Sequence, residues 1–204
     1  MERVFTYIDG VNLYYGMSEA FGKKYLWLDL VSLSNNLLTE KQQLNHVHYF
    51  TARIRNNNRK AKRQRTYLEA LDTKSPSLET HYGKYLKSAT ECPLCHQIYQ
   101  KSSEKMSDVN LATYLLVDAY QDNFDTAIII SGDSDLSTPV SMVKQLFPMK
   151  RIIFAFPPAR SSIELINRAD ESFMIGKGLL AKSQFPDPVL SISNYPLQKP
   201  ITWI

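Results

Sequence analysis

Four aspartates stand where a predicted strand ends or a predicted helix begins, and carboxylates in such places can bind a cation. Asp9 follows the first apolar run of the chain, and Asp133 and Asp135 follow its most apolar run. Asp108 opens a predicted helix, at the edge of the buried face of that helix. Each aspartate could also be structural, as an Asx turn, a helix cap or a residue favoured by the helix dipole.

Several carboxylates on one rim repel one another unless a cation lies among them, and hard oxygen ligands favour Mg²⁺ or Mn²⁺. Such ions orient phosphate, activate water and stabilise a leaving oxygen. Asn12 follows Asp9 by about one helical turn and could orient water or phosphate, although it could also be a polar residue of a surface helix. Asp118 lies about 15 Å further along the predicted helix than Asp108, so we expect it outside this site.

One basic segment stands out in an otherwise acidic chain. Residues 53–65 contain seven basic side chains and no acid; they are Arg53, Arg55, Arg59, Lys60, Lys62, Arg63 and Arg65. Taking these seven from the 24 lysines and arginines leaves 17, against 20 aspartates and glutamates. The segment has no aromatic residue, so we predict that Arg59, Lys62 and Arg63 hold a phosphate backbone and not bases. The alternative is a solvated helix face.

Other candidate contacts with nucleic acid are fewer. Arg160 follows two prolines and could reach a phosphate, although a loop arginine is usually solvated. Tyr14 and Tyr15 could stack on bases, although helix packing explains at least one of them equally well.

Strands and helices alternate along the predicted core, which predicts an α/β fold with three layers and a mostly parallel central sheet. Predicted strands are 4–8, 46–53, 78–86, 126–130, 151–156 and 172–175, and predicted helices are 11–21, 29–38, 58–71, 108–121, 136–147 and 161–169. Ser107 is the predicted cap of the fourth helix. Ligands bind beyond the carboxyl ends of parallel strands, where Asp9 and Asp133 would stand.

Two segments lie outside this alternation. Residues 88–104 are polar, are predicted to be irregular and contain Cys92 and Cys95, while 181–204 is predicted to be an extended tail with prolines, after a domain of residues 1–180. A zinc site needs about four ligands, and Cys92, Cys95 and either His96 or His81 are candidates, so zinc there is possible but less expected than reduced thiols. Two chains could pool their cysteines in a homodimer.

Composition places the protein among ordinary soluble domains. Apolar residues make up 44% and charged residues 22% of the chain. Since no apolar run approaches the roughly 20 residues that span a bilayer and the N-terminus lacks a signal-like apolar stretch, we expect a cytoplasmic protein without a membrane partner.

Four segments carry a resemblance to a known family. They are Tyr7–Leu13 (YIDGVNL), Lys105–Ala112 (KMSDVNLA), Ile129–Leu136 (IISGDSDL) and Ser162–Leu165 with Arg168–Asp170. In this order and spacing, over residues 3–175, they resemble NYN domains, a branch of the PIN-like nucleases, and are closest to the LabA-like group. The resemblance implies Asp9, Asn12, Asp108 and Asp133 at a metal, with Asp135 nearby.

The residues and the resemblance together predict a Mg²⁺- or Mn²⁺-dependent ribonuclease that cuts single-stranded RNA. Asp9 and Asp133 would bind the metal directly, and Asp108 directly or through water. One alternative is a module that binds RNA with the same rim and basic helix but does not cut it, as some family members are thought to do. A further alternative is a phosphatase with an aspartyl nucleophile, which would need a second aspartate two residues after the first. Val11 stands there after Asp9, whereas Asp133 and Asp135 have this spacing but come late in the chain.

Overall fold

A seven-stranded sheet forms the centre of the computed structural model, which describes residues 1–54 and 57–203, without the side chains of 74, 86–88 and 100–104. Its strands are β1 (Glu2–Asp9), β2 (Gln42–Ala52), β3 (Leu78–Glu91), β4 (Ile98–Lys105), β5 (Thr126–Ile130), β6 (Arg151–Phe156) and β7 (Glu171–Met174). They lie in the order β4-β3-β2-β1-β5-β6-β7. All neighbours are parallel except β3 and β4.

Helices cover both faces of the sheet. They are α1 (Gly10–Phe21), α2 (Leu30–Asn36), α3 (Asn58–Lys74), α4 (Ser107–Tyr120), α5 (Ser137–Leu146), α6 (Ile163–Arg168) and α7 (Lys177–Lys182), with a 3₁₀ turn at Ser134–Leu136. The predicted three-layer α/β fold is therefore confirmed, and β1 and β5 are adjacent and parallel.

The burial of β5 shows how the sheet divides the core. All five of its residues are buried. Ala127 and Ile129 pack with the apolar side chains of α4, α5 and α6, while Ile128 and Ile130 pack with those of α1, α2, α3 and α7. A strand buried on both faces needs a continuous apolar run, which is why this strand was predictable from the sequence.

The prediction that residues 88–104 are irregular is wrong. β3 continues to Glu91 and pairs with β4 as an antiparallel hairpin, in which Glu91 lies opposite Ile98. Gly83 lies inside β3, opposite Ala52. Backbone hydrogen bonds hold this ribbon. Its described apolar side chains beyond Tyr85 include Ile98 and Tyr99, which are exposed and so give no buried stripe to mark the ribbon in the sequence.

The start of α4 also differs from the prediction. Ser107 is the first residue of the helix and is buried, while the cap position belongs to Met106, whose φ of 83° is left-handed and whose side chain makes no capping bond. Met106 therefore turns the chain from β4 into α4, and Asp108 lies in the first turn of the helix.

The residues after 181 pack on the core. The short strands β8 (Val189–Leu190) and β9 (Pro196–Leu197) pair with each other. Val189, Leu197 and Trp203 are buried, and the Trp203 ring lies 5.8 Å from that of Tyr67. In the described part of the chain, no helix has the length and apolar character required to cross a membrane.

Candidate functional site

Asp9 is held at the junction between β1 and α1. Its Oδ1 accepts hydrogen bonds from the backbone N–H groups of Val11 (3.1 Å) and Asn12 (2.9 Å), so the carboxylate caps the helix. Gly10 is required here, because a Cβ would lie 2.5 Å from the Tyr49 ring and 2.8 Å from the Phe50 carbonyl oxygen. The close packing of α1 on β2 thus fixes the carboxylate at the carboxyl end of the sheet.

Ser131 connects Asp9 to the loop that follows β5. Its buried hydroxyl donates to Asp9 Oδ2 at 3.0 Å and accepts from the Asp133 backbone N–H at 3.1 Å. The Gly132 N–H donates to Asn12 Oδ1 at 3.0 Å. These three bonds fix the loop after β5 against the start of α1. The Asn12 carboxamide oxygen, predicted to orient water or phosphate, therefore holds the loop.

Asp133 and Asp135 have different surroundings. Asp133 caps the 3₁₀ turn, and its Oδ1 accepts the backbone N–H of Asp135 at 3.0 Å. The Asp133 side chain lies at the cleft described below, whereas the Asp135 side chain is exposed. Asp135 therefore contributes through its backbone N–H, which orients the Asp133 carboxylate.

A cleft of about 450 Å³ opens at this rim. It is lined by Asp9, Val11, Asn12, Tyr15, Asp108, Gly132, Asp133, Ser134, Ala159, Arg160 and Ser161. Four of the five residues predicted for catalysis therefore line one cleft, Asp135 being the exception. Asp118 is at the other end of α4, as expected, and is buried beside β2.

Burial is the largest cause that raises the pKa of the Asp9 carboxyl, to about 6. The hydrogen bonds from the Asn12 N–H and the Ser131 hydroxyl oppose this rise, while the charges of Asp108 and Asp133 add to it. Because the three carboxylates repel one another across the cleft, a cation between them would lower the energy of the ionised site.

Arg160 brings a positive charge to the same cleft. Its Nη2 donates to Glu19 Oε2 at 2.7 Å, which ties the loop after β6 to α1. A Cβ at Gly132 would lie 3.0 Å from Arg160 Cβ, so the backbones of the two loops pass close together. Sequence reasoning gave Arg160 only as a possible phosphate ligand and did not find Ser131, whose position in a Ser-Gly-Asp turn gave no sign of its contact with Asp9.

A second pocket, of about 300 Å³, adjoins the cleft and shares Val11 and Tyr15 with it. Its aromatic lining is Tyr14, Tyr15, Tyr49, Tyr67, Tyr85 and Trp203. Lys60 and Arg63 of α3 also line it. The basic segment thus lies at the edge of an aromatic pocket, a relationship that the local sequence of the segment did not predict.

The basic residues of that segment have different surroundings. Arg59 and Lys62 are exposed on α3, and Arg63 is half-buried. The Arg53 guanidinium lies over the Tyr82 ring, 4.4 Å from its centroid. Arg55 falls outside the described residues.

The cysteines lie at the tip of the β3–β4 hairpin as free thiols. The backbone N–H groups of Cys95 and Leu94 lower the pKa of the Cys92 thiol. His96 is exposed and contacts Glu91. The suggestion that His81 joins the cysteines is wrong, because His81 is buried in the first half of β3, 2.8 Å from His48.

Comparisons with known proteins agree with this fold. The sequence profile of the NYN domain family matches residues 3–176. A protein of unknown function from Vibrio parahaemolyticus has a similar structure, with a TM-score of 0.57 and 18% identity, covering 90% of this chain and 96% of that one. A curated relative from Pseudomonas putida is named 6-hydroxy-3-succinoylpyridine 3-monooxygenase HspA and is 29% identical over 175 residues, 70% of this chain. The match covers 55% of that relative, so the chain spans about half of its length.

Proposed function

The chain belongs to the NYN domain family of PIN-like nucleases, and from this membership we propose that it is a ribonuclease whose rim of aspartates binds Mg²⁺ or Mn²⁺. The observation that carries the proposal is the cleft in which Asp9, Asp108 and Asp133 meet at the carboxyl ends of β1 and β5 and the start of α4. Three neighbouring carboxylates would attract a cation, whereas they would repel a polyanion that was bound without one.

The donor atoms of the cleft fit a hard divalent cation. Carboxylate oxygens from three separate elements face one space, and Mg²⁺ takes such ligands together with water and substrate phosphates. Asp9 and Asp133 would bind the ion directly, and Asp108 directly or through water. When bound, the ion would supply polarisation of the phosphate and stabilisation of the leaving oxygen.

The chain's own residues would position the reacting groups. The Ser131 hydroxyl holds one Asp9 oxygen in place, and Asn12 holds the Gly132 backbone, so both strand ends keep a fixed separation. Arg160 lies at the cleft and would bind a non-reacting phosphate oxygen, with Glu19 restraining its guanidinium. Fixed donors and charges of this kind stabilise charge that develops during phosphoryl transfer.

The substrate we propose is single-stranded RNA. The aromatic pocket beside the cleft would receive an unpaired base, since stacking on tyrosine rings needs a base that is free of its partner. Arg59, Lys62 and Arg63 would bind the phosphates that lead into it, although Arg63 also lines the pocket and would contact the base or its ribose.

Cleavage of labelled single-stranded RNA in Mg²⁺ or Mn²⁺ tests the proposal. Asp133→Asn keeps the size of the side chain but removes a charge, so cleavage should fall by orders of magnitude. RNA affinity without metal should stay equal or rise, because a negative charge beside phosphate is gone. The control is Asp72→Asn, an exposed aspartate of α3, which should leave cleavage unchanged.

Two outcomes would contradict the proposal. Equal cleavage by wild type and Asp133→Asn, from identical preparations with and without EDTA, would assign the activity to a contaminant or another site. A wild type that binds a broad RNA panel but cuts none of it would favour the module that binds RNA without turnover.

A second candidate concerns the aromatic pocket alone. The compound named for the Pseudomonas relative is a substituted pyridine, and its succinoyl arm ends in a carboxylate. A pocket lined by tyrosines with Lys60 and Arg63 suits such a molecule as well as it suits a base. Titration of this compound, followed by Trp203 fluorescence and by competition with RNA, distinguishes the two.

A further inference from the structure

Three of the chain's four histidines lie within 4.0 Å of one glutamate beneath α4. His46 and His48 come from β2, and Glu79 and His81 from β3. The strand register places His48 opposite Glu79. Residues two apart on a strand share a face of the sheet, so this pairing directs all four side chains to one side.

One oxygen is the centre of the group. Glu79 Oε2 lies 3.7 Å from His46 Nε2, 4.0 Å from His48 Nδ1 and 3.8 Å from His81 Nε2. His48 Nδ1 and His81 Nε2 are 2.8 Å apart. The ligand atoms of His46, His48 and Glu79 all lie within 4.8 Å of one another.

These separations are close to those of a tetrahedral zinc site. With zinc–nitrogen and zinc–oxygen bonds of about 2.0–2.2 Å, tetrahedral ligands stand about 3.3–3.6 Å apart. The three distances from Glu79 Oε2 are slightly longer than this range, and the distance between His48 Nδ1 and His81 Nε2 is slightly shorter. Shifts of a few tenths of an ångström would bring these atoms into tetrahedral geometry. A hydrogen bond between His48 and His81 would explain their contact but not the convergence of His46 and Glu79 on the same space.

The surroundings of His48 add an independent argument. On the other side of its ring, Nε2 lies 3.1 Å from Asp118 Oδ2. Asp118 is itself held by the Tyr7 hydroxyl at 2.8 Å and the Asn123 side-chain amide at 2.9 Å. The geometry of this contact falls short of a hydrogen bond, so His48 Nε2 has no hydrogen-bond partner among the described residues. A small rotation of the ring would let its Nε2–H donate to Asp118 and would direct Nδ1 toward a metal, as is common around zinc.

We propose that His46 Nε2, His48 Nδ1, His81 Nε2 and Glu79 Oε2 bind one Zn²⁺ ion in a structural site. Imidazole nitrogens with one carboxylate suit zinc better than the all-oxygen set that Mg²⁺ prefers. Four protein ligands close the coordination sphere, so the ion would fasten β3 to β2 beneath α4. The Glu79 side chain is 55% exposed, which gives the ion a way in from solvent.

The site is separate from the rim proposed for RNA cleavage. Asp118 and Asp108 belong to opposite ends of α4 and are about 15 Å apart along its axis. Zinc binding therefore does not depend on the proposed nuclease activity, and either can fail without the other.

Zinc titration of the full chain tests the site. The protein carries Cys92→Ser and Cys95→Ser to remove the hairpin thiols, is treated with EDTA and desalted, and is kept in excess Mg²⁺ to occupy the rim. We expect calorimetry to show one equivalent of Zn²⁺ bound and thermal unfolding to shift upward with zinc. Glu79→Gln and His81→Asn should each weaken binding by at least about tenfold.

Two control variants locate the ion. His96→Asn removes the one histidine outside the group, and Asp133→Asn changes the rim; both should keep the zinc affinity. Since Glu79 is exposed, Glu79→Gln should fold even if His81→Asn does not. Nitrogen shifts of the imidazoles should identify Nδ1 of His48 and Nε2 of His46 and His81 as the ligands.

Absence of zinc uptake would overturn the proposal, and so would an affinity unchanged in Glu79→Gln. Zinc binding lost in Asp133→Asn but kept in Glu79→Gln would place the ion at the rim and equally refute it.

Discussion

The Ser131 hydroxyl donates to Asp9 Oδ2 over 3.0 Å and so joins the ends of β5 and β1 by a single side chain. Asp9 is only 4% exposed, yet its two carboxylate oxygens both accept hydrogen bonds. These bonds satisfy the buried group without neutralising it. The free energy that it costs to keep this buried carboxylate charged can therefore be measured in the metal-free protein.

That cost predicts a pH dependence of stability. Burial, with the charges of Asp108 and Asp133, raises the pKa of Asp9 from 3.8 to about 6 in the folded state. The folded protein then binds a proton before the unfolded chain does, so this group increases the free energy of unfolding as the pH falls from about 7 to about 4. A shift of this size corresponds to about 3 kcal/mol.

Urea unfolding of wild type and Asp9→Asn in EDTA measures this contribution. Asn can still cap the helix but does not titrate. Acidification should therefore raise the free energy of unfolding of wild type relative to that of Asp9→Asn. Parallel stability curves across the window would show that Asp9 is not destabilised by its charge. If the rim binds Mg²⁺ as proposed, the ion binds the ionised form of Asp9, so added Mg²⁺ should stabilise wild type near neutral pH.

The basic segment predicts a salt dependence of RNA binding. Replacing Arg59, Lys62 and Arg63 by Ala should weaken binding across sequences, because we propose that these cations bind the phosphate backbone. If all three contacts are lost, the slope of log affinity against log salt should fall by roughly 2 in magnitude. Binding measured by fluorescence anisotropy at several salt concentrations gives the slope.

A triple variant of exposed lysines elsewhere, at Lys23, Lys177 and Lys182, is the control for net charge. It should leave the slope nearly unchanged. An equal loss of slope in both triple variants would show that α3 acts only through overall charge and is a solvated face.

The aromatic pocket predicts selectivity for unpaired bases. Tyr15 is 56% exposed and lines both the pocket and the cleft, so Tyr15→Ala should fold normally. Loss of one stacking contact should cost about 1–3 kcal/mol of affinity for single-stranded RNA. Duplex RNA should be affected little. Tyr120→Ala, at a tyrosine of α4 that is 80% exposed, is the control, and equal effects of the two variants would argue against a base in the pocket.

Gly16 predicts a structural link between α1 and the loop that carries Arg160. A Cβ at Gly16 would lie 2.5 Å from the Pro158 carbonyl oxygen and 2.9 Å from Pro157 Cβ. Because backbone must move, Gly16→Ala should lower stability by about 1–3 kcal/mol despite the better helix propensity of alanine. At Gly178 an added Cβ meets nothing within 4 Å, so Gly178→Ala should leave thermal unfolding unchanged or raise its midpoint.

Local pattern was enough to predict the elements that position the rim. Apolar runs ending in Asp9 and preceding Asp133 marked two buried parallel strands, and strand direction then placed both carboxylates at one edge. The identities of their partners were not predictable in this way. The contact of Ser131 with Asp9 joins two strand ends that are far apart in the chain, and Arg160 reaches the cleft because a loop packs closely on Gly16 and Gly132.

The histidine group shows the same limit more clearly. His48 and Glu79 meet because β2 and β3 pair in one particular register, and a shift by one residue would direct their side chains to opposite faces. Nothing local to either segment fixes that register. The β3–β4 hairpin was missed for a related reason, since it is held by backbone pairing and the apolar side chains described near its tip, Ile98 and Tyr99, are exposed.

The position of β1 in the sheet has a consequence for synthesis. It is made before both of its partners, yet it ends in the middle of the sheet, between β2 and β5. The partner on one side follows soon, whereas the partner on the other is made only after β3, β4 and α4. For that period a nascent chain exposes one unpaired, apolar strand edge, the kind of surface that chaperones shield and that templates aggregation. The yield of soluble protein in an expression host should therefore depend on translation speed and chaperone supply, and not only on the stability of the folded protein.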